Sequence, residues 1–525
     1  MSRLFCRLPY LATAVLVGML PAHYASAQPS VSAQLARDAQ DGPRALLDGL
    51  DQLLATTPQL ASTPSSAAAL ARAAAMPVPD FVGANLPIYQ EISDKIVAAA
   101  PPEQRAAVRQ AISIEIAAFI ATDIRIMPAP PPSTFGNVPE QAPQAGERGY
   151  QVGSFTVYPQ IQAGMFYDSN IYATRTATVS DGVGSISPSI AIRSNWDHNA
   201  LYAEAGTDLT GYLHHGNENT ADWHTKVQGR IDVNPTTRII LGGIALKEHE
   251  DRSSPDAVEG LTPTRYWELN GYAGVIHRIG VYNLRLGGAI ERITYANVMG
   301  QNGEINNQDR NHNRYTAGIS VSNNANIAFR PFFEGLADIR RYDHTPDDFV
   351  IEPATTGYYR NSNGYRVSVG SRFRITPAFV GEASVGVMGR YYADPRFKPV
   401  TTPAADANLR WNATEGTTAV LFLDRSIEET TLPGSPAYIY TIVGGRVEQT
   451  LLPKLTGIAR LAFARSNFCQ STRWDNEADM SIGVRYYFTD YTYVGTDYRY
   501  TQRVSGDPTV NFNRHEVFVV LGSAF

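Results

Sequence analysis

The chain ends V-N-F-N-R-H-E-V-F-V-V-L-G-S-A-F, residues 510–525. Val517, Val519, Leu521 and Phe525 share one parity, and only Ser523 interrupts the apolar row. Successive side chains of a strand point to opposite faces, so this segment carries one greasy face. The same alternation recurs segment after segment back to about Gly153, with no run apolar enough for a membrane helix. Alternating segments of roughly ten residues between turn residues are the signature of a transmembrane β-barrel. Helices and closed barrels are the backbones that span hydrocarbon, because both satisfy every peptide group internally. The expected fold is therefore an all-β transmembrane barrel, antiparallel, of about eighteen strands, with a short α-helical N-terminal periplasmic region.

Within the strands, parity separates an oily face from a wet one. In Ala200–His214, Leu201, Ala203, Ala205, Leu209 and Leu213 oppose Tyr202, Glu204, Asp208, Thr210 and Tyr212. Trp223, Val227, Ile231 and Val233 oppose His224, Lys226, Gln228, Arg230 and Asp232, and Tyr365, Val367, Val369 and Phe373 oppose Arg366, Ser368, Arg372 and Arg374. A charge on the lipid face costs roughly 2–4 kcal/mol at mid-bilayer, so consistent parity is informative. Two segments break the rule. Arg238–His249 is apolar on both parities through Ile239, Ile240, Leu241, Ile244 and Leu246, and Phe518 and Val520 fall on the inner face of the last strand. These inner apolar residues are expected to pack against a plug or an inward-folded loop. Pro159, Pro188 and Pro331 lack a ladder donor and are expected at bulges or strand ends.

The connections alternate in length. Short links fall at residues 197–199, 234–237, 279–280, 323–326, 375–377, 413–416, 451–454 and 488–490. Longer polar links fall at 168–184, 215–220, 250–264, 296–311, 343–360, 393–402, 428–437, 467–475 and 505–509. Barrels place short turns on the periplasmic side and long loops outside, and the alternation leaves no strand over.

Ahead of the barrel, Arg3 and Arg7, the apolar run Leu11–Leu20 and Ala25-Ser26-Ala27 read as a signal peptide over residues 1–27. Residues 28–127 are expected to form a helical periplasmic extension or plug. Their stripes are Leu46, Leu47, Leu50, Leu53 and Leu54, then Ile88, Ile92 and Ile96, then Val108, Ile112, Ile116, Phe119 and Ile120. Residues 128–152 form a Pro-rich linker, and 153–525 the barrel. Removing the signal takes away both of its arginines and moves the net charge from -6 to -8, spread along the chain, so no nucleic-acid partner is expected. It also leaves Cys469 as the single cysteine and excludes an intrachain disulfide. A mean hydropathy of -0.21 suits a soluble protein and a barrel equally.

Chemistry is sparse. Asp168, Asp181 and the Asp347-Asp348 pair are conceivable calcium ligands, but no spacing supports that, and solvated loop polarity is the expectation; the same holds for His214-His215 and His312. Ser320, Ser322 and His277 are conceivable members of a hydrolytic triad that nothing places together. No enzymatic activity, metal or cofactor is expected. Gly242-Gly243 and Gly287-Gly288 read as close packing. The better signal is charge on inward parity: Arg193, Glu204, Asp208, Arg230, Asp232, Asp338, Arg366, Arg372, Arg374, Arg390, Arg410, Arg460 and Arg485 are the candidate pore-lining residues, with Glu334, Asp406 and Asp479 beside them. Opposed rows of such charges filter solutes by charge and size; alternatively they pair across neighbouring strands and brace the wall. Tyr167, Trp196, Trp223, Trp267, Tyr295, Tyr315, Tyr391, Tyr392, Trp411, Tyr438, Tyr440, Tyr486, Tyr487, Tyr491 and Tyr493 cluster toward segment ends, where interfacial girdles belong.

The opening of the barrel is specific. Val157-Tyr158-Pro159, Phe166-Tyr167-Asp168-Ser169-Asn170-Ile171-Tyr172, Ser180-Asp181, Ile186-Ser187-Pro188 and Ser194-Asn195-Trp196 resemble the first two strands of the putative beta-barrel porin 2 family, outer-membrane barrels of Gram-negative proteobacteria. The resemblance runs from about Gly153 to Phe525 and implies an integral outer-membrane location. The expected partners are outer-membrane lipid and lipopolysaccharide and the barrel-assembly machinery. The leading functional expectation is a porin-like channel for passive passage of small polar solutes. Alternatives are a conduit for exopolysaccharide export, its helical region docking periplasmic export components, and a plugged structural or adhesive barrel.

Overall fold

The computed structural model describes residues 43–63 and 86–105, scattered positions around them between 31 and 112, and residues 149–525 except 197, 326–327, 345–356, 377, 415, 490 and 525. The signal segment, residues 128–148 of the linker, Ile116, Phe119, Ile120, Asp347-Asp348, Phe525 and the side chain of Ile88 lie outside the described residues.

Alternating parity cannot satisfy the backbone of a lone strand, so each segment pairs with the next. The strands are β1 (Phe155–Asp168), β2 (Asp181–Ser194), β3 (Ala200–Tyr212), β4 (Thr220–Asn234), β5 (Thr237–His249) and β6 (Arg265–Ile279). They continue as β7 (Tyr282–Tyr295), β8 (His312–Asn323), β9 (Phe329–Tyr342), β10 (Ser362–Thr376), β11 (Phe379–Tyr392) and β12 (Val400–Thr414). The rest are β13 (Thr417–Glu428), β14 (Tyr438–Leu452), β15 (Leu455–Phe468), β16 (Trp474–Tyr487), β17 (Thr492–Ser505) and β18 (Phe512–Ala524). Each is antiparallel to its neighbour in sequence. The last pairs with the first, from Gln160 opposite Ala524 to Asp168 opposite Glu516, which closes an eighteen-strand barrel and leaves no sheet edge. Tyr150–Val152 adds a three-residue strand against the start of β1. Short turns and long loops alternate between the two ends as the sequence predicts.

Outward residues such as Met165, Leu269, Val385 and Ile482 are 62–68 % exposed. A continuous exposed apolar belt of this extent belongs against lipid. No helix among the described residues is long and apolar enough to cross a membrane; the crossing is made by strands.

Among the described residues, several inner apolar side chains pack on the neighbouring wall. Val520 lies in register with Gly164 on one side and Gly495 on the other, and an added Cβ at Gly164 would meet its Cγ2. Phe332 lies over Gly370, Phe422 over Gly444, Tyr272 over Gly242 and Tyr493 over Gly522 in the same way. A missing Cβ lets a large neighbour lie flat on the sheet, so apolar area is buried between adjacent strands. Phe518 stacks on Phe166 with centroids 4.8 Å apart.

The prolines sit where one ladder is absent. Pro159 precedes the β1–β18 pairing, Pro331 lies beyond the end of the β8–β9 pairing, and the β2–β3 register is interrupted at Pro188. The girdle expectation divides: Tyr167, Trp223, Trp267, Tyr315, Tyr391, Trp411 and Tyr486 are exposed on the outer face. Tyr295, Tyr392, Tyr438, Tyr440, Tyr487 and Tyr493 instead share the inward parity of their strands with Arg285, Arg390, Arg446, Arg485 and Arg499. Side-chain parity within each strand separates the two sets.

Two short N-terminal helices, α1 (Pro43–Thr56) and α2 (Leu86–Ala99), have a core of their own. Leu46, Leu47, Leu50, Leu53 and Leu54 are buried together with Ile92, Ile96, Val108 and Ile112. Lys95 of α2 pairs with Asp51 of α1 at 2.5 Å.

Candidate functional site

The register places all thirteen candidate lumen residues on the inward face. Several are paired with adjacent wall. Arg390 chelates Asp338 at 2.7 and 2.8 Å, Arg230 reaches Asp232 at 2.7 Å, Arg372 reaches Glu382 at 2.6 Å, and Arg366 pairs with Asp406. Arg193 lies over the rings of Tyr158 and Tyr202, and Arg485 over Tyr493. Glu204 accepts from Tyr202, and Asp208 lies opposite Asp222. Arg374, Arg410 and Arg460 belong to one row across β10–β15.

The densest network was not anticipated. Arg499 reaches Asp479 at 2.6 Å, and Arg503 reaches Glu477 at 2.9 Å. Arg514 and Glu516 of β18 are almost wholly buried beside them. The signal existed: Arg514 and Glu516 share parity with Phe518 and Val520, whose apolar character hid the polar half of that face.

What buries this network is the loop between β5 and β6, residues 250–264, which folds into the mouth of the barrel. Arg252 binds Glu218 of the β3–β4 loop through Nε at 2.9 Å and Nη2 at 2.7 Å. Asp251 faces Arg514 at 3.7 Å, and the Ser253 carbonyl accepts from Arg503. Farther along, the Pro255 carbonyl accepts from Arg473 at 3.2 Å. Asp256 accepts from Thr430 Oγ1 at 2.9 Å and from the Thr431 amide at 3.0 Å, in the β13–β14 loop. Partners from β17, β18 and the β13–β14 loop lie across the mouth from β5, so the loop spans the opening. A loop buried among strands must satisfy its carbonyls, and inward arginines supply the donors.

Charge at this end is held by opposing forces. Burial raises the Asp251 carboxyl, but Arg514 and the Ser253 amide outweigh it and hold the group below the usual range. Burial keeps Asp256 above it, against Arg310 and the Thr430 and Thr431 donors. Burial also raises Glu429, yet Arg340, Arg390 and His312 overcome that and depress it to about 2. A depressed carboxyl stabilises the fold above its unfolded value, about 4.3, and that contribution is lost as pH falls toward the folded value. Acidification below about 4 is therefore expected to loosen the β13–β14 loop. Pepsin cleavage within residues 429–437 should rise between roughly pH 4 and 2 in the wild type, and already be high at the upper pH in Glu429→Gln. Cleavage independent of pH in both would show that Glu429 does not tie the loop.

The remaining chemistry is structural. Asp168 and Asp181 are opposed and buried at the ends of β1 and β2, not in solvated loops as expected. Asp181 is bracketed by His214 and His215 through Nδ1 at 2.9 and 2.8 Å, and Asp168 accepts from the Asn170 amide. His312 is likewise buried, stacked on Tyr342. No group of three or more metal-ligating side chains occurs among the described residues. Ser320 and Ser322 point inward, whereas His277 points outward and bonds Thr237 Oγ1; the conceivable triad is not brought together. Burial pushes the Cys469 thiol up to about 11.

The family model for putative beta-barrel porin 2 matches residues 142–524. The chain belongs to that family. It is accordingly a porin-family outer-membrane β-barrel, a class generally non-enzymatic. No curated protein matches the chain. Similar solved structures include the outer membrane protein opdK from Pseudomonas aeruginosa, at 10 % identity over 70 % of this chain and 99 % of that one, with a TM-score of 0.38. Another is Acinetobacter baumannii OccAB4, at 9 % identity over 73 % of this chain and 100 % of that one, also with a TM-score of 0.38. The barrel assignment rests on the closed pairing of the eighteen strands and the family match, not on these likenesses.

Proposed function

We propose that this porin-family barrel is an outer-membrane channel for passive passage of small polar solutes. The observation that carries the reading is a closed wall of eighteen strands whose inner face is charged along its length. Barrels of sixteen to eighteen strands are wide enough to leave an aqueous path. Arginines and carboxylates on that wall favour hydrated solutes over apolar ones. The candidate lumen residues act by charge and steric selection, with no chemical step.

Export of a polymer is a second reading, favoured by the separate core of the N-terminal helices. A small module with its own packing is suited to hold a periplasmic partner. On either reading the helical region is assigned to the periplasmic side. Reconstitution of the mature protein into planar bilayers tests the channel: discrete conductance steps in simple salt are expected. Absence of steps, with or without residues 28–144, would remove passive passage and favour the plugged structural or adhesive barrel.

A further inference from the structure

Charge is distributed unevenly over the outer face of the wall. Among the described residues, every carboxylate of the eighteen strands lies on inward parity, from Asp168 of β1 to Glu516 of β18. The outward cations of the strands are Lys247, Arg265, Arg292, Arg341, Arg425 and Arg465, each sharing parity with exposed apolar residues of its own strand. All of them sit at the strand ends that enter the long loops, and none at the short-turn ends. The penalty for a charge on the lipid face falls toward the interface, so the position is tolerated. The uniform sign, restricted to one rim, calls for an anionic partner outside the chain.

Two of these arginines form a site. Arg425 of β13 lies opposite Thr441 of β14, and Thr441 lies opposite Arg465 of β15. Two strand spacings, about 10 Å, thus separate the arginines along the rim. Neutral groups hold both in place. Arg425 donates through Nε to the Pro403 carbonyl at 3.1 Å, through Nη1 to Thr441 Oγ1 at 2.5 Å, and through Nη2 to Thr402 Oγ1 at 2.9 Å. Arg465 donates to Asn467 and Asn476 and lies over the Trp474 ring at 5.5 Å. A guanidinium carries five N–H donors, so donors remain on each. Arg292, by contrast, has its own carboxylate in Asp343. Toward mid-bilayer the same parity presents Leu421, Val443, Leu461 and Phe463, all exposed.

We propose that Arg425 and Arg465 bind an outer-leaflet lipid that carries two phosphates on one headgroup, as the lipid A part of lipopolysaccharide does. The planar guanidinium matches a phosphate through paired N–H donors. A headgroup held at one arginine meets the second intramolecularly. The apolar field beneath the pair receives the acyl chains, which a free phosphate lacks. The site lies on the opposite face of the wall from the lumen and does not depend on the channel reading.

The test is native mass spectrometry of the full chain in neutral detergent, titrated with diphosphoryl lipid A and with its monophosphoryl form. A saturable adduct with the diphosphoryl lipid is expected, about tenfold weaker with the monophosphoryl one, since each lost charged hydrogen bond costs about that factor. Arg425→Gln/Arg465→Gln should weaken the diphosphoryl adduct by about tenfold or more. Arg425→Lys/Arg465→Lys keeps the charge but loses the planar fork, and should fall between. Arg278→Gln/Arg330→Gln removes the same charge from the inner face near the short turns and should bind as the wild type does. Heat-modifiable gel mobility shows that each variant is a folded barrel. Equal affinity for the two lipids, or an equal loss in the inner and outer arginine pairs, would overturn the proposal. Displacement of the lipid by excess inorganic phosphate would overturn the lipid as occupant.

Discussion

Replacing residues 251–263 by two glycines is expected to raise single-channel conductance several-fold. The loop leaves β5 at His249 and returns at Arg265, and a two-residue turn suffices to join antiparallel neighbours. In between, it holds Glu218, Arg514, Arg503, Arg473 and the β13–β14 loop from positions Asp251 to Asp256. A segment tied to that many points of the rim is not a mobile flap; its removal opens cross-section permanently. The deletion also uncovers Arg503 and Arg514, so anion selectivity in an asymmetric salt gradient should rise with conductance. The strands keep their own ladders, and folded protein should be recovered. Unchanged conductance from folded protein would show that the narrowest point lies elsewhere.

A second large effect is expected on the other side of the wall. Val369 lies at the middle of β10, faces outward and is 56 % exposed. Val369→Arg places a cation where hydrocarbon should be, at a cost of about 2–4 kcal/mol near the midplane. Urea unfolding in lipid vesicles should show that loss, whereas the same strand carries Arg366 and Arg372 inward, where Asp406 and Glu382 accept from them. The contrast between adjacent parities separates a transmembrane strand from a merely amphipathic one. Equal stability of Val369→Arg and wild type would place this face in water or protein and undo the membrane assignment.

Much of the wall was legible in the chain because strand parity is a local property. Arg230, Arg366 and Arg410 could be assigned inward from their own segments alone. Their partners could not. Asp338 and Arg390 lie on β9 and β11, with a strand between them, and only barrel curvature and register bring them to 2.7 Å. The wall-side cover of inner apolar residues was hidden for a similar reason: Gly164, far away in sequence, is the neighbour of Val520 only after closure. Asp168 and Asp181 looked like loop acids because the loop they flank is long, although both end their strands opposed and buried.

By itself the sequence determined the class of fold, the strand number, the two faces and the alternation of turns and loops. Each follows from a two-residue period and from turn residues that act within a few positions. Tertiary structure alone decided which charges meet, that the β5–β6 loop crosses the mouth, and that Arg374, Arg410, Arg446 and Arg460 form one row. Those depend on the stagger between strands and on joining the last to the first. Both are set by pairing over the whole circumference, a constraint that no single segment contains.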